Sequence, residues 1–322
     1  MSDTQTKQLI TTSSVRCFKR CRREYLYRYE HGLRPVADSF ALAYGSAFHR
    51  CVELLETSDL PNAIDYAMST IWKDPFTRHT LTAQIRAYAQ HWAGQLFISE
   101  TLCAEQAFAS ELVNPETARP SQTFDVGGKI DAIVRLADGR LAIRETKTIS
   151  EDPASDRYWR RLLMDPQITL YYIKARELGY EVETIAYDVI RKPVIQPALA
   201  TPIENRKYKK DGGLYANQRE HDETPEAWGE RLFADMMERP TFYLARREIP
   251  RLEQDVDEFR YEQWDVAKDI RSAQLSNRFY RNVGRQCDTC AYFELCSGLR
   301  QYEPGNVPEG FQVVDNIHGE LV

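Results

Sequence analysis

Residues 128–147 read GKIDAIVRLADGRLAIRETK. Short segments with apolar, β-prone residues flank Asp138-Gly139, a pair typical of tight turns, so the pattern predicts two antiparallel strands. Asp131 lies on the first strand, and Glu145 and Lys147 lie two positions apart on the second. The stretch therefore predicts a β-hairpin that carries two carboxylates and one ammonium group.

The length of the hairpin loop determines whether the two acids can act together. A two-residue loop would put Asp131 and Glu145 on opposite faces, because strand side chains alternate. A three-residue loop at 137–139, with its glycine in the left-handed region and a bulge, would pair Asp131 with Glu145 and Ile133 with Ile143. We predict this loop or another one-residue irregularity in the strands.

These three side chains together indicate a chemistry. Two carboxylates can hold Mg²⁺ through oxygen ligands. The ammonium group of Lys147, on the same strand face as Glu145, can orient or deprotonate a water or stabilise a developing negative charge. The hairpin is thus suited to phosphodiester cleavage. The competing interpretation is a surface hairpin with alternating polar residues, which is common.

Elements predicted around the hairpin change from helical to extended along the chain. Ser13 and Ser14 can cap a helix that runs to about Tyr29, and further helices are predicted near 48–55, 62–73 and 80–99, so the first hundred residues read as all helical. Strands are then predicted at about 106–113, 128–136, 141–148 and 183–190. The pattern indicates an α/β fold.

One helix between the last two strands has clear ends. Asp165 can be its N-cap, Pro166 takes its first position, and Gly179 follows its last turn. Gln167 and Tyr171 then lie on one face of this helix.

Composition and charge limit the classes of protein that fit. The chain has 322 residues, 43% hydrophobic and 28% charged, as in folded globular proteins. It has no apolar run long enough for a membrane helix and no signal-like N-terminus, so we expect a cytoplasmic protein without membrane contact. Its net charge of -6 provides no global basic field, so nucleic acid must bind through local patches.

The seven cysteines indicate a metal centre more than disulfides for a chain expected in the cytosol. Cys287, Cys290 and Cys296 follow one another at short spacing near the C-terminus. Three thiolates need a fourth ligand to complete a site. Zinc is one candidate, although zinc ribbons generally pair two Cys-x2-Cys knuckles and only one is present. Cys51 and Cys103 are interpreted as buried thiols.

On the hairpin and the helix after it, the chain resembles the PD-(D/E)XK nuclease superfamily in its RecB-type branch. In that branch the acid, the hairpin and Glu-x-Lys are followed by Gln-x-x-x-Tyr, matched by Gln167 and Tyr171, and preceded by a Gly-x-x-x-His-x-x-x-Glu helix. The residues that match this helix are Gly45, His49 and Glu53. The resemblance implies that His49, Asp131 and Glu145 bind Mg²⁺ or Mn²⁺ and that Lys147 acts on the attacking water. Glu111, on the preceding strand, is a further acidic candidate.

The cysteines extend this resemblance to the iron-sulfur members of the branch, such as the AddB nuclease subunit and the CRISPR-adaptation exonucleases. Those proteins take a fourth cluster ligand from the first helix, which implies a 4Fe-4S cluster on Cys21, Cys287, Cys290 and Cys296. Cys17, one turn earlier, is the rival of Cys21, which we favour because it falls on the apolar face of the predicted helix. The chain departs from the family at Arg22, where proline is frequent.

The resemblance implies a restriction-endonuclease-like core, with a mixed central sheet flanked by helices and closed by the cluster. We expect a helical region at 1–105, the nuclease core at 106–190, an insertion of unknown role at 191–280, the cysteine loop at 281–300 and an irregular tail at 301–322. The insertion should hold a helix opened by Thr224-Pro225, a short strand near 241–245 and a long charged helix from about 254.

The implied activity is that of a metal-dependent DNA exonuclease acting on single strands or DNA ends. Helicase, recombination or CRISPR-adaptation proteins are the candidate partners. Two alternatives remain open: an endonuclease of the same fold, and a nuclease-like scaffold that binds DNA without cutting it. The intact set of Asp131, Glu145 and Lys147 argues against the scaffold, which has no need of all three.

Overall fold

The structure is a computed structural model that describes residues 7–36, 40–94 and 97–321. Its strands, in chain order, are β1 (Gln8–Thr11), β2 (Leu33–Pro35), β3 (Ile98–Val113), β4 (Pro120–Leu136), β5 (Leu141–Ile149), β6 (Val182–Arg191), β7 (Leu244–Pro250) and β8 (Phe311–Val313). Within the described ranges, all of these except β2 and β8 form one six-stranded mixed sheet.

The α-helices surround this sheet. They are α1 (Thr12–Arg20), α2 (Arg22–Tyr25), α3 (Phe40–Thr57), α4 (Leu60–Ser69), α5 (Phe76–Trp92), α6 (Asp156–Leu162), α7 (Pro166–Glu177), α8 (Pro225–Glu238), α9 (Pro240–Tyr243), α10 (Glu253–Ser276) and α11 (Phe293–Ser297). A π-helical turn at Leu26–Glu30 continues α2, and the last described residues form a 3₁₀ turn, Gly319–Leu321.

The long strand β4 organises the sheet. One of its edges pairs antiparallel with β3. Its other edge pairs parallel with β1 up to Gly127 and antiparallel with β5 from Ala132 onward. The order continues through β6, parallel to β5, and β7, antiparallel to β6. Asp131 therefore lies where β4 changes partners, at an opening between two neighbouring strands.

Both faces of the sheet are covered, which explains why its inner strands are apolar over most of their length. Ile185, Tyr187 and Val189 of β6 pack in one core with apolar residues of α6 and α7. Ile190, on the opposite face, joins a second core built from α3, α4, α5 and α8. The observed architecture is the predicted α/β fold with a mixed central sheet flanked by helices.

The prediction that the first hundred residues are all helical is wrong. β1 and β2 lie in this region, β3 begins at Ile98, and α5 ends at Trp92 rather than near 99. The helix predicted from Ser13 to Tyr29 is also interrupted, because Cys21 has an extended backbone with φ -161° and ψ 113°. β1 is stabilised by its parallel pairing with β4, a tertiary contact that a four-residue window of sequence does not reveal.

The region expected to be an insertion, 191–280, contributes to the central sheet. Its strand is β7, displaced toward the C-terminus from the predicted 241–245 because Pro240–Tyr243 forms a helical turn. The predicted helices at Thr224-Pro225 and near 254 are confirmed as α8 and α10. The tail is not wholly irregular, since β8 pairs antiparallel with β2. Among the described residues, no helix is both long and apolar enough to cross a membrane.

Candidate active site

The hairpin between β4 and β5 has the predicted three-residue loop. Leu136 N donates to Arg140 O at 2.8 Å, Gly139 N donates to Leu136 O at 3.0 Å, and Gly139 has φ +92°. The register pairs Ile133 with Ile143, as predicted. The loop and this register are thus confirmed. The ladder ends at Ala132 and Arg144, so Asp131 and Glu145 are the next residues beyond it on the two strands.

The two acids of the hairpin are shielded from solvent. The Asp131 side chain is 15% exposed, and its Oδ2 accepts a hydrogen bond from Thr146 N at 2.9 Å. Glu145 is 1% exposed, and its Oε2 is buried without a hydrogen-bond partner. Burial raises the pKa of Asp131 to about 6, and burial together with the nearby Asp131 raises the pKa of Glu145 to about 7. Two buried acids this close favour a bound proton or cation between them.

Lys147 and Gln167 surround the other oxygen of Glu145. Lys147 Nζ contacts Glu145 Oε1 and lies 3.4 Å from Gln167 Oε1, while Gln167 Nε2 lies 3.3 Å from the same glutamate oxygen. Burial acts to lower the pKa of Lys147, but Glu145 and Asp131 raise it above its ordinary value. Lys147 is therefore a partly buried ammonium group that remains charged at neutral pH.

Helix α7 brings Gln167 and Tyr171 to the site. Its start is the predicted one, since the Asp165 side chain accepts from Gln167 N at 3.0 Å and Pro166 takes the first position. Gln167 Nε2 also donates to Tyr171 Oη at 3.1 Å. A Cβ added to Gly128 of β4 would lie 2.7 Å from the Tyr171 ring, so glycine at this position allows α7 to approach the sheet.

His49 reaches the acids from helix α3. Its Nδ1 lies 3.4 Å from Asp131 Oδ2, and burial lowers the pKa of the imidazole. Gly45, one turn earlier, lies against Thr148 of β5, since a Cβ there would meet Thr148 Oγ1 at 3.6 Å. Glu53, one turn later, is ion-paired with Arg50 at 2.6 Å. A neutral imidazole beside a carboxylate can act as a metal ligand.

One cavity of about 750 Å³ is lined by all six residues predicted to bind metal or take part in catalysis: His49, Asp131, Glu145, Lys147, Gln167 and Tyr171. Its walls come from the start of α1, from α3, from the hairpin, from α7 and from the turn Gly319–Leu321. Basic side chains accompany the acids along this cavity: Arg16, Arg50, Lys129 and Lys147. The cavity thus combines a carboxylate and imidazole donor set with positive charge suited to phosphate.

Sequence reasoning missed one acid and misplaced another. Glu105 of β3 offers a carboxylate oxygen that, with His49 and Asp131, forms a set of ligand atoms within 4.8 Å of one another. Its strand was predicted to begin at 106, so Glu105 lay outside every predicted element. The expectation that Glu111 belongs to the acidic site is wrong. Its exposed side chain is ion-paired with Lys7 at 3.3 Å, and Glu111 pairs with Asp125 of β4 in the sheet. It is not among the residues that line the cavity.

A second cavity, of about 220 Å³, is lined by the cysteines expected to act as ligands, Cys21, Cys287, Cys290 and Cys296. Burial raises the pKa of the Cys290 thiol. Tyr27, one of the lining residues, stacks on Tyr292 with ring centroids 5.7 Å apart. The N-terminal segment and the C-terminal loop therefore meet at this cavity.

Cys17 lies elsewhere. It is 6% exposed and packs in a core with Phe18 and Tyr25, and burial raises its pKa to about 12. Cys21 was favoured because it was predicted to lie on the apolar face of the helix, and that reason is wrong. Cys17 occupies this face, and Cys21 lies at the break between α1 and α2. Cys51 is the buried thiol expected, whereas Cys103 is half-buried and contacts Gln106 Oε1 at 3.2 Å.

The chain belongs to the PD-(D/E)XK nuclease superfamily, since the model of that family matches residues 10–297. A solved structure titled "Crystal structure of SSO0001" is also similar, at 12% identity and a TM-score of 0.34, covering 91% of this chain and 88% of that one. No curated protein matches the chain. Members of this superfamily are nucleases that use divalent metal ions, so the family assigns hydrolysis of a nucleic acid to this chain.

Proposed function

We propose that the chain is a metal-dependent deoxyribonuclease, and specifically an exonuclease that hydrolyses phosphodiester bonds in single strands or at DNA ends with Mg²⁺ or Mn²⁺. The observation that carries the proposal is that Asp131 and Glu145, the residues just beyond the β4–β5 ladder, line one cavity in which Glu145 Oε2 is buried without a partner. A divalent cation would satisfy that oxygen and neutralise the two acids.

The donor set fits such a cation. We assign His49, Asp131 and Glu145 as its ligands, because carboxylate oxygens and a neutral imidazole suit Mg²⁺ and Mn²⁺, and all three side chains line the same cavity. Bound there, the cation would polarise the scissile phosphate and lower the pKa of a water.

The other residues of the cavity have separate roles in this proposal. Lys147, charged and beside Glu145, donates to a phosphate oxygen and stabilises negative charge that develops in the transition state. Gln167 donates to Glu145 Oε1 and so holds the carboxylate in place, with Tyr171 fixing the amide in turn. Gln167 and Tyr171 are therefore positioning residues.

Preference for single strands and ends is supported by the walls of the cavity. Residues from α1, from α3 and from the turn Gly319–Leu321 surround the hairpin on several sides. A single strand can bend into such a cleft, whereas a continuous duplex is wider and stiffer. The endonuclease of the same fold and the DNA-binding scaffold remain the alternatives, and helicase, recombination or CRISPR-adaptation proteins are the proposed partners.

The second cavity is proposed to hold a 4Fe-4S cluster on Cys21, Cys287, Cys290 and Cys296. The four cysteines line one cavity of about 220 Å³, which has room for a multi-atom cluster. Four thiolates on one zinc would instead converge to about 2.3 Å from a single point. Zn²⁺ remains the chemical alternative for this site.

The test is incubation of purified protein with end-labelled single-stranded, double-stranded and circular single-stranded DNA, in Mg²⁺, Mn²⁺ or EDTA. We expect products from linear single strands only with metal, and none from circles, which have no ends. Cleavage of circles would identify an endonuclease. Metal-dependent DNA binding without any product would identify the scaffold, and Lys147→Ala is the control that excludes a contaminating nuclease.

A further inference from the structure

Glu105 has an unusual backbone for a residue inside a β-strand. Its φ is +51°, in the left-handed region that side-chain-bearing residues rarely adopt. The strand is regular on both sides of it, because Ala104 pairs with Ala132 and Gln106 pairs with Ile130 in the same register. The ladder skips Glu105 itself, and the register of its two neighbours places it opposite Asp131 of β4.

Three acids consequently lie in a row across three neighbouring strands. The register of β3 places Glu105 opposite Asp131 of β4, and Asp131 and Glu145 are the next residues beyond the ladder that pairs β4 with β5. Residues opposite one another in antiparallel strands have Cβ atoms about 5 Å apart, and like charges at such positions destabilise a sheet. A row of carboxylates at this spacing requires compensation by positive charge.

Ligand atoms of two of these acids converge with that of His49. Carboxylate oxygens of Glu105 and Asp131 and a ring nitrogen of His49 all lie within 4.8 Å of one another. Glu145, in the same cavity, provides an independent observation: its Oε2 is buried without a hydrogen-bond partner and the residue is 1% exposed. Lys129 pairs with Glu105 at 2.7 Å and supplies part of the compensating charge.

We propose that Glu105 is a further ligand of the divalent cation, and that its left-handed backbone conformation serves to turn its carboxylate toward Asp131 and His49. The inference rests on the metal site proposed above. It adds a ligand from β3 to those from α3, β4 and β5, so that the cation is enclosed by oxygens from three adjacent strands and the imidazole of α3.

The test measures Mn²⁺ binding by calorimetry, without DNA, together with the thermal unfolding midpoint of each variant in EDTA. Glu105→Gln keeps the shape of the side chain and removes its charge. It should weaken Mn²⁺ binding by at least about tenfold, because loss of a residue that only hydrogen-bonds to a metal ligand already has an effect of this size. Lys129→Met is the matched control: it removes the ion pair but leaves the Glu105 carboxylate, and it should leave the affinity unchanged or higher.

Glu105→Gly separates a ligand from a structural residue. Glycine adopts the left-handed region without strain, so this variant should lose Mn²⁺ affinity as Glu105→Gln does while its unfolding midpoint in EDTA stays the same or rises. A clear fall in that midpoint, or an equal loss of affinity in Lys129→Met, would show that Glu105 acts through the fold and would overturn the inference.

The two proposals fail in different ways. Wild-type affinity in Glu105→Gln, with affinity lost in Glu145→Ala, would reject Glu105 as a ligand and leave the proposed metal site intact. A wild-type protein that takes up no Mn²⁺ at all would reject the metal site itself.

Discussion

Single residues of the hairpin are proposed to have two different roles: Asp131 and Glu145 bind the metal ion, and Lys147 takes part in catalysis without binding it. Lys147→Ala should abolish cleavage while Mn²⁺ affinity stays near that of the wild type, because the ammonium group is not a metal ligand. Asp131→Ala and Glu145→Ala should abolish cleavage and also weaken Mn²⁺ binding, since each removes an oxygen ligand. Calorimetry with Mn²⁺ beside a cleavage assay measures both properties.

Unchanged Mn²⁺ affinity in both acid variants would remove these residues from the metal site. Weaker binding in Lys147→Ala would contradict the assignment of the ammonium to the phosphate. Thr146→Ser is a suitable control, because Thr146 binds Asp131 through its backbone N–H, which the substitution retains.

Of the acids around Asp131, some could be predicted from the sequence and one could not. Asp131, Glu145 and Lys147 could be found because strand alternation and loop length are local properties that place side chains on a face. Glu105 could not, because its approach depends on the register of β3 and on one left-handed residue, which no periodicity signals. The sequence thus predicted the acids of the hairpin but not the acid of the strand beside it.

At the scale of elements, the contact of α7 with β4 depends on the lack of a side chain at Gly128. An added Cβ would lie 2.6 Å from the Phe108 ring and 2.7 Å from the Tyr171 ring, closer than packed atoms allow. Gly128→Ala should therefore displace Tyr171 and reduce stability by about 1 to 3 kcal/mol, the usual effect of overpacking. Urea unfolding measures this loss.

Gly139→Ala is an informative comparison at the tip of the hairpin. A Cβ there meets no atom within 4 Å, but φ is +92°, so the strain is purely conformational. Gly128→Ala should lower cleavage as well as stability, because Tyr171 holds Gln167, whereas Gly139→Ala should affect stability only. Wild-type activity in Gly128→Ala would argue against a positioning role for Tyr171.

Helix ends were predicted well where they are encoded in a few adjacent residues. Asp165, Pro166 and Gly179 mark α7 as expected, and Thr224-Pro225 opens α8. The break at Cys21 was not predicted, since the apolar spacing from Phe18 to Tyr29 continues through it. Contacts from distant parts of the chain favour the break: Arg23 N donates to Tyr280 O at 3.1 Å, and Asn282 Nδ2 donates to Arg20 O at 2.8 Å.

At the scale of the whole molecule, the two ends of the chain meet beside the proposed cluster. β2 pairs with β8, and Tyr27 stacks on Tyr292 across the same region. A cluster bonded to Cys21 and Cys287 would close most of the 322-residue chain into a loop. By analogy with disulfides, such closure restricts the unfolded chain and stabilises the fold by on the order of 5 kcal/mol.

Replacement of Cys287, Cys290 or Cys296 by alanine should therefore remove the visible absorbance, lower the thermal unfolding midpoint and promote aggregation. Cys21→Ala should have the same effect, because Cys21 lines the same cavity. Cys17→Ala is the matched control one turn away: it should lose some stability by leaving a space in the core around Phe18, and yet keep full absorbance. Cys51→Ala and Cys103→Ala should also keep it.

The measurement is iron, sulfide and zinc analysis with the visible spectrum of protein purified without oxygen. Stoichiometric zinc without iron would overturn the cluster but retain a four-thiolate site. Colour lost in Cys17→Ala and kept in Cys21→Ala would exchange the two ligands. Colourless, metal-free protein of full stability would remove the metal from this cavity, and the contacts of β2 with β8 and of Tyr27 with Tyr292 would then suffice to hold the ends together.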